Sequence, residues 1–165
     1  MKPRQLKPSR LNPSPPARAL SVQISASMEE VESLCLRIRG FLENGNPSLV
    51  SFPVELLARE CLNNAVLHGS RSDAGKKIEL RLWVGRVWVR LQVSDEGQGF
   101  DWRKPRSEGA DTGSDATSGR GLLLYAAYAH RVQFNRIGNR ITLWIPKKKQ
   151  TEKSQSPKNQ SGKEG

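Results

Sequence analysis

Long apolar runs are absent from this 165-residue chain. None approaches the roughly 18 residues that a membrane-spanning helix needs, so a helical membrane protein is not expected. Cysteine is scarce. Cys35 and Cys61 are the only two, with no CxxC spacing and no second pair, so neither a disulfide framework nor a zinc site is suggested. The N-terminus is basic, but no apolar h-region follows before the first regular segment, and no secretory signal is expected. Together these absences fit a reducing, cytoplasmic setting.

Acidic residues are outnumbered. Asp+Glu number 16 against 27 Lys+Arg, a net charge of +11. The excess is unevenly placed: residues 1–20 carry five basic groups and no acid, and 147–165 carry six Lys and two Glu. The interval between holds 16 basic and 14 acidic groups and is near neutral. The N-terminal segment is rich in proline and the C-terminal one has no large apolar residue, so both read as disordered tails. The expected organisation is a basic tail over 1–18, one folded domain over 19–146, and a Lys-rich tail over 147–165.

Within the domain, Leu20, Val22 and Ile24 alternate with Ser21, Gln23 and Ser25, the pattern of a half-buried strand over 19–26. Ser27 followed by Glu30 is a capping-box signature for a helix over 28–43. A second helix is expected over 53–68, with Pro53 in its first turn. Strands over 77–84 and 87–94 flank Gly85-Arg86, where a two-residue type II′ turn would suit the glycine. A long polar segment, 101–118, follows; loops of this length inside a domain are commonly functional. A third helix over 121–129 and strands over 131–136 and 140–146 complete the order β-α-α-β-β-α-β-β. That order implies an α/β (α+β) two-layer sandwich, with a mixed, mostly antiparallel sheet and about three helices on one face.

Three segments carry polar groups suited to chemistry. In ECLNNAVLHG (60–69), Glu60, Asn64 and His68 sit at i, i+4 and i+8, within about 80° of one another on an α-helix. A carboxamide oxygen at Asn64 suits Mg²⁺, which takes few protein ligands beside phosphate oxygens, and Glu60 suits a general base. A solvated helix face would show the same pattern. In DEGQGF (95–100), Asp95 can accept a hydrogen bond from an exocyclic amine such as adenine N6, while Gly97 and Gly99 allow close backbone approach; an ordinary strand-ending turn has the same composition. In GRGL (119–122), free N–H groups at a helix start suit phosphate and Arg120 adds charge. Neither a Walker A nor a Rossmann pattern is present.

Together these segments resemble the N, G1 and G2 boxes of the GHKL (histidine-kinase-like) ATPase superfamily. ELLARECLNNAVLHG and GRGLLLYAAYAHRVQFNRIGNRITL are most similar to its small serine/threonine kinases that act as anti-sigma factors. The resemblance covers about 20–146 and implies the superfamily's Bergerat-type fold with ATP and Mg²⁺ as cofactors. It implies Glu60 as catalytic base, Asn64 as magnesium ligand and Asp95 as adenine-recognising carboxylate, with Gly97 and Gly99 shaping its turn. It further implies an ATP lid over 101–118, closed by a hinge and phosphate contact at Gly119, Arg120, Gly121 and Leu122. The implied activity is a protein kinase that binds a sigma factor and phosphorylates a STAS-like anti-anti-sigma antagonist. The alternative is a non-catalytic module that sequesters its partner. No helix pair with a phosphoacceptor His is present, which speaks against a complete sensor histidine kinase.

The strand phases place Trp83, Trp88 and Trp144 on the sheet face away from the helices, among Arg81, Arg90 and Arg140, with Trp83 and Trp88 as direct cross-strand neighbours. Such a face suits a protein partner or a homodimer. Nucleic acid is not the expected partner, although basic tails could bind it.

Overall fold

The computed structural model describes residues 18–44, 51–101 and 120–147. Its elements run β1 (Arg18–Ser25), α1 (Met28–Glu43), α2 (Ser51–Asn64), a π-helical turn (Ala65–Gly69), β2 (Lys77–Val84), β3 (Trp88–Asp95), α3 (Arg120–Tyr128), β4 (Arg131–Phe134) and β5 (Arg140–Pro146). The strands form one sheet in the order β1-β2-β3-β5-β4. All four ladders are antiparallel, so the parallel component allowed by the sequence reading is absent among the described residues.

Period-two patterning decides which face of this sheet is covered. Ile78, Leu80, Leu82, Val89, Leu91, Val93, Ile141, Leu143 and Ile145 are buried, and they join Val31, Leu34, Cys35 and Ile38 of α1 and Val54, Leu57, Ala58, Cys61 and Leu62 of α2 in one core. Helix α1 starts where its cap is: the Ser27 Oγ accepts from the Glu30 N–H at 3.3 Å. Ser27→Ala is expected to cost about 1 kcal/mol, seen as a lower urea midpoint with unchanged slope. Arg39 donates to both carboxylate oxygens of Glu55, at 2.9 and 2.7 Å, and Arg59 pairs with Glu32; both pairs tie α1 to α2.

The β2–β3 hairpin differs from the expected register. Val84 pairs with Val89 and Trp83 with Arg90, and the Gly85 N–H bonds to Trp88 O at 2.9 Å. The tip is therefore Arg86-Val87, not Gly85-Arg86. Gly85 does not take the positive φ that a type II′ turn requires at that position. The slip is by two residues, so inward and outward sets are preserved. Trp83 and Trp88 are consequently not opposite each other. Instead Trp83, Arg90, Trp144 and Arg131 form one row across β2, β3, β5 and β4. The Arg90 guanidinium lies 3.8 Å from the Trp83 ring centre and that of Arg131 lies 4.8 Å from Trp144, alternating cation–π contacts. Trp88 stacks on His130 instead, 4.9 Å between centres. Strand β4 is two residues shorter than expected, because the Asn135 side chain leaves the ladder and accepts from the N–H groups of Gly138 and Arg140.

Candidate functional site

Helix α2 places Glu60 and Asn64 one turn apart, both half-buried. The Asn64 Nδ2 donates to Glu60 Oε1 at 3.2 Å. The helix then widens. The Ser70 N–H reaches back five residues to Ala65 O at 2.7 Å, the signature of a π turn, a feature often found at functional sites. The α-helical spacing that would align His68 with Glu60 and Asn64 does not continue through that turn, and His68 is exposed. The trio expected from sequence is therefore a pair.

The wider turn delivers Gly69 to a second cluster. Asp95 ends β3, and its Oδ1 accepts from the Gly97 N–H at 2.7 Å. A Cβ on Gly69 would stand within 2.6 Å of both Asp95 carboxylate oxygens, and one on Gly97 would overlap the Gly69 carbonyl oxygen. Gly69, Asp95 and Gly97 are thus in mutual contact. Asn139 closes the turn from the β4–β5 connection: its Nδ2 donates to Asp95 O at 3.1 Å and to Gly97 O at 3.4 Å, and its own carbonyl accepts from the Asp95 N–H at 3.0 Å. Gly99, at φ +76°, packs its Cα on Ile137 O, where a Cβ would overlap. Its glycine is accounted for by backbone packing rather than by ligand approach.

Burial pushes the Asp95 carboxyl above its ordinary value, against the pull of the Gly97 N–H and the Lys76 charge. The folded state then holds this proton more tightly than the unfolded chain, so its ionisation destabilises the fold as pH rises from the ordinary carboxylate range, near 4. Asp95→Asn keeps an oxygen for the Gly97 N–H and removes the ionisation. In nucleotide-free protein, the melting temperature of Asp95→Asn relative to wild type is expected to rise from pH 3 towards 7, levelling once Asp95 is ionised in both states.

Helix α3 meets α2 at the first cluster. Gly121 is buried, and a Cβ there would stand 2.6 Å from Glu60 Oε1 and 3.4 Å from Asn64 Nδ2. One turn later the buried Tyr125 hydroxyl accepts from Asn64 Nδ2 at 3.2 Å and from Cys61 Sγ at 3.5 Å. Burial pushes the Cys61 thiol up to about 12, which leaves it a protonated, unreactive neighbour. Gly119 and the lid segment expected over 101–118, apart from Asp101, lie outside the described residues. Arg120 and Leu122 fall within α3; their side chains are outside the described set.

The fold therefore brings Glu60, Asn64 and Gly121 together at one end of the π turn and Asp95, Gly97 and Gly69 at the other. Sequence reasoning did not single out Gly69, Tyr125 or Asn139 for the site. Tyr125 carries a signal, since its i+4 spacing from Gly121 puts both on one helix face. Gly69 carries a weaker one, directly after the polar helix. Asn139 carries none, because only the β3–β5 register brings it to Asp95.

Two buried polar atoms flank these clusters without a hydrogen-bond partner among the described residues: Asn63 Oδ1 and Ser70 Oγ. Also among the described residues, no group of three or more His, Cys, Asp or Glu could hold a metal ion, and no helix is long and apolar enough to cross a membrane. A cation at Asn64 would therefore take most of its ligands from a bound molecule and water, as Mg²⁺ does beside phosphates.

A protein-family model described as a histidine kinase-like ATPase domain matches residues 24–145. The comparison with curated proteins returned no match.

Proposed function

This chain belongs to the histidine kinase-like ATPase domain family, and from that premise we propose that it is a cytoplasmic ATP–Mg²⁺-dependent protein serine/threonine kinase of the anti-sigma type. It binds a sigma factor and phosphorylates a hydroxyl on a STAS-like anti-anti-sigma antagonist. The observation that carries the reading is the meeting of Glu60 and Asn64 with the start of α3 at Gly121. A carboxylate and a carboxamide there adjoin a helix N-terminus, whose N–H groups suit phosphate.

The residues fit the cofactors. Asn64 Oδ1 is a hard oxygen ligand, and its Nδ2 is already engaged elsewhere. Asp95 offers a carboxylate oxygen to the exocyclic amine of adenine, and the bare Cα atoms of Gly69 and Gly97 leave room for that carboxylate. ATP supplies the phosphoryl group, and Mg²⁺ neutralises its charge. Glu60 accepts the proton of the attacking Ser or Thr hydroxyl as the new O–P bond forms and the bond to ADP breaks. The remaining catalysis is positioning.

The test is to incubate the purified protein with ATP labelled on its γ-phosphate, Mg²⁺ and candidate STAS-like antagonists. Label in phosphoserine or phosphothreonine of an antagonist is the expected result. Nucleotide binding without transfer to any antagonist would overturn the kinase reading in favour of the non-catalytic binding module.

A further inference from the structure

The Asn64 carboxamide is held from two sides. Its Nδ2 lies 3.2 Å from Glu60 Oε1 and 3.2 Å from the Tyr125 hydroxyl. A primary amide has two N–H donors and one carbonyl acceptor, so both donors are used and Oδ1 takes part in neither bond. Turned over, the amide would set its oxygen against the Glu60 carboxylate with no proton between them. The pair of contacts therefore fixes which atom of Asn64 is offered to a ligand. Glu60 reaches Asn64 along α2, whereas Tyr125 reaches it from α3.

Resting on the ATP–magnesium reading, we propose that Tyr125 is a positioning residue for the metal: it anchors the Asn64 amide nitrogen from α3 and so commits Oδ1 to Mg²⁺. Its surroundings suit that task. The ring is only 5 % exposed and belongs to the core, so the hydroxyl is placed by packing rather than by a mobile chain. The Cys61 thiol donates to the same oxygen from α2 at 3.5 Å, holding it in place from a second direction. Burial pushes the phenol well above its ordinary range, so it stays neutral and adds no charge beside the metal. The contact also couples α3 to the metal ligand, so a displacement of α3 would release Asn64.

The test is Tyr125→Phe, which keeps the ring and deletes one oxygen. Nucleotide binding is titrated by calorimetry with ATP in EDTA and then across a Mg²⁺ series. The Mg²⁺ concentration at half-effect is expected to rise about three- to tenfold, the worth of one neutral hydrogen bond, while affinity in EDTA is unchanged. In an Asn64→Ala background the same substitution is expected to have no further effect on magnesium dependence. An unchanged Mg²⁺ midpoint in the folded variant, or equal losses with and without Mg²⁺, would overturn the positioning role and leave the ATP reading intact. Failure of the wild-type protein to bind nucleotide under either condition would overturn both. The Asn64 side-chain amide resonances give a readout independent of affinity: they shift in Tyr125→Phe if the bond exists in solution, and identical resonances would refute it.

Discussion

Glu60→Gln lowers phosphate transfer to an antagonist protein by at least about 100-fold, within the range usual for a general base, and leaves nucleotide affinity essentially intact. Glutamine is nearly isosteric. It keeps an oxygen for the Asn64 Nδ2 and still fits beneath Gly121, where there is room for no Cβ on the facing helix. What it loses is the capacity to take a proton at neutral pH. The split between transfer and binding is therefore the informative quantity. Equal transfer by a folded Glu60→Gln protein would remove Glu60 from catalysis. A parallel loss of binding and transfer would show instead that its role is to hold Asn64.

The second large effect is expected at the Asp95 turn, where two glycines meet the same carboxylate with different consequences. At Gly97 an added Cβ would overlap the carbonyl oxygen of Gly69 and crowd Asp95 Oδ1. A backbone oxygen inside a hydrogen-bonded turn has little room to move, so Gly97→Ala is expected to cost about 1–3 kcal/mol of stability and to abolish nucleotide binding. At Gly69 the atoms in the way are those of the Asp95 side chain alone. Gly69→Ala therefore displaces the carboxylate without distorting the chain, and alanine is the better helix former. Stability is expected to stay near wild type, while ATP affinity falls about tenfold or more, the worth of a hydrogen bond to a charged group. Thermal melts beside ATP titrations separate the two cases. Unchanged ATP affinity in Gly69→Ala would show that Asp95 does not recognise the base.

Much of this architecture was legible because one face of the sheet is buried. The alternation in 77–84, 87–94 and 140–146 assigns each residue to a face, and that assignment survived the two-residue slip of the hairpin. The slip was not legible: a glycine beside a short turn suggests the turn type, but the register is set by packing of β3 against β5 and by the Gly85 N–H bond to Trp88 O. Helix α1 was legible to the residue, since Ser27 announces its own cap. The end of α2 was not, because periodicity presumes 3.6 residues per turn and a single five-residue hydrogen bond breaks that count. At the site, the residues with distinctive chemistry stood out from sequence. Those that hold them, Tyr125 and Asn139, are ordinary in composition and acquire a role only through contacts 61 and 44 positions away in the chain.

The wide turn at Ala65–Gly69 makes spacing, rather than residue identity alone, a constraint on this protein. Glu60 and Asn64 are counted along the α-helix from its N-terminal side, and Gly69 is counted from the same helix through one extra step. Loss of any single residue within 65–69 would let the helix close to regular pitch. Everything after the deletion would then turn by roughly 100° about the helix axis, carrying the bare Cα of Gly69 away from Asp95 while Glu60 and Asn64 kept their places. An alignment that closes a one-residue gap there would join two chains alike in every polar residue and different in which of their glycines stands beneath the carboxylate.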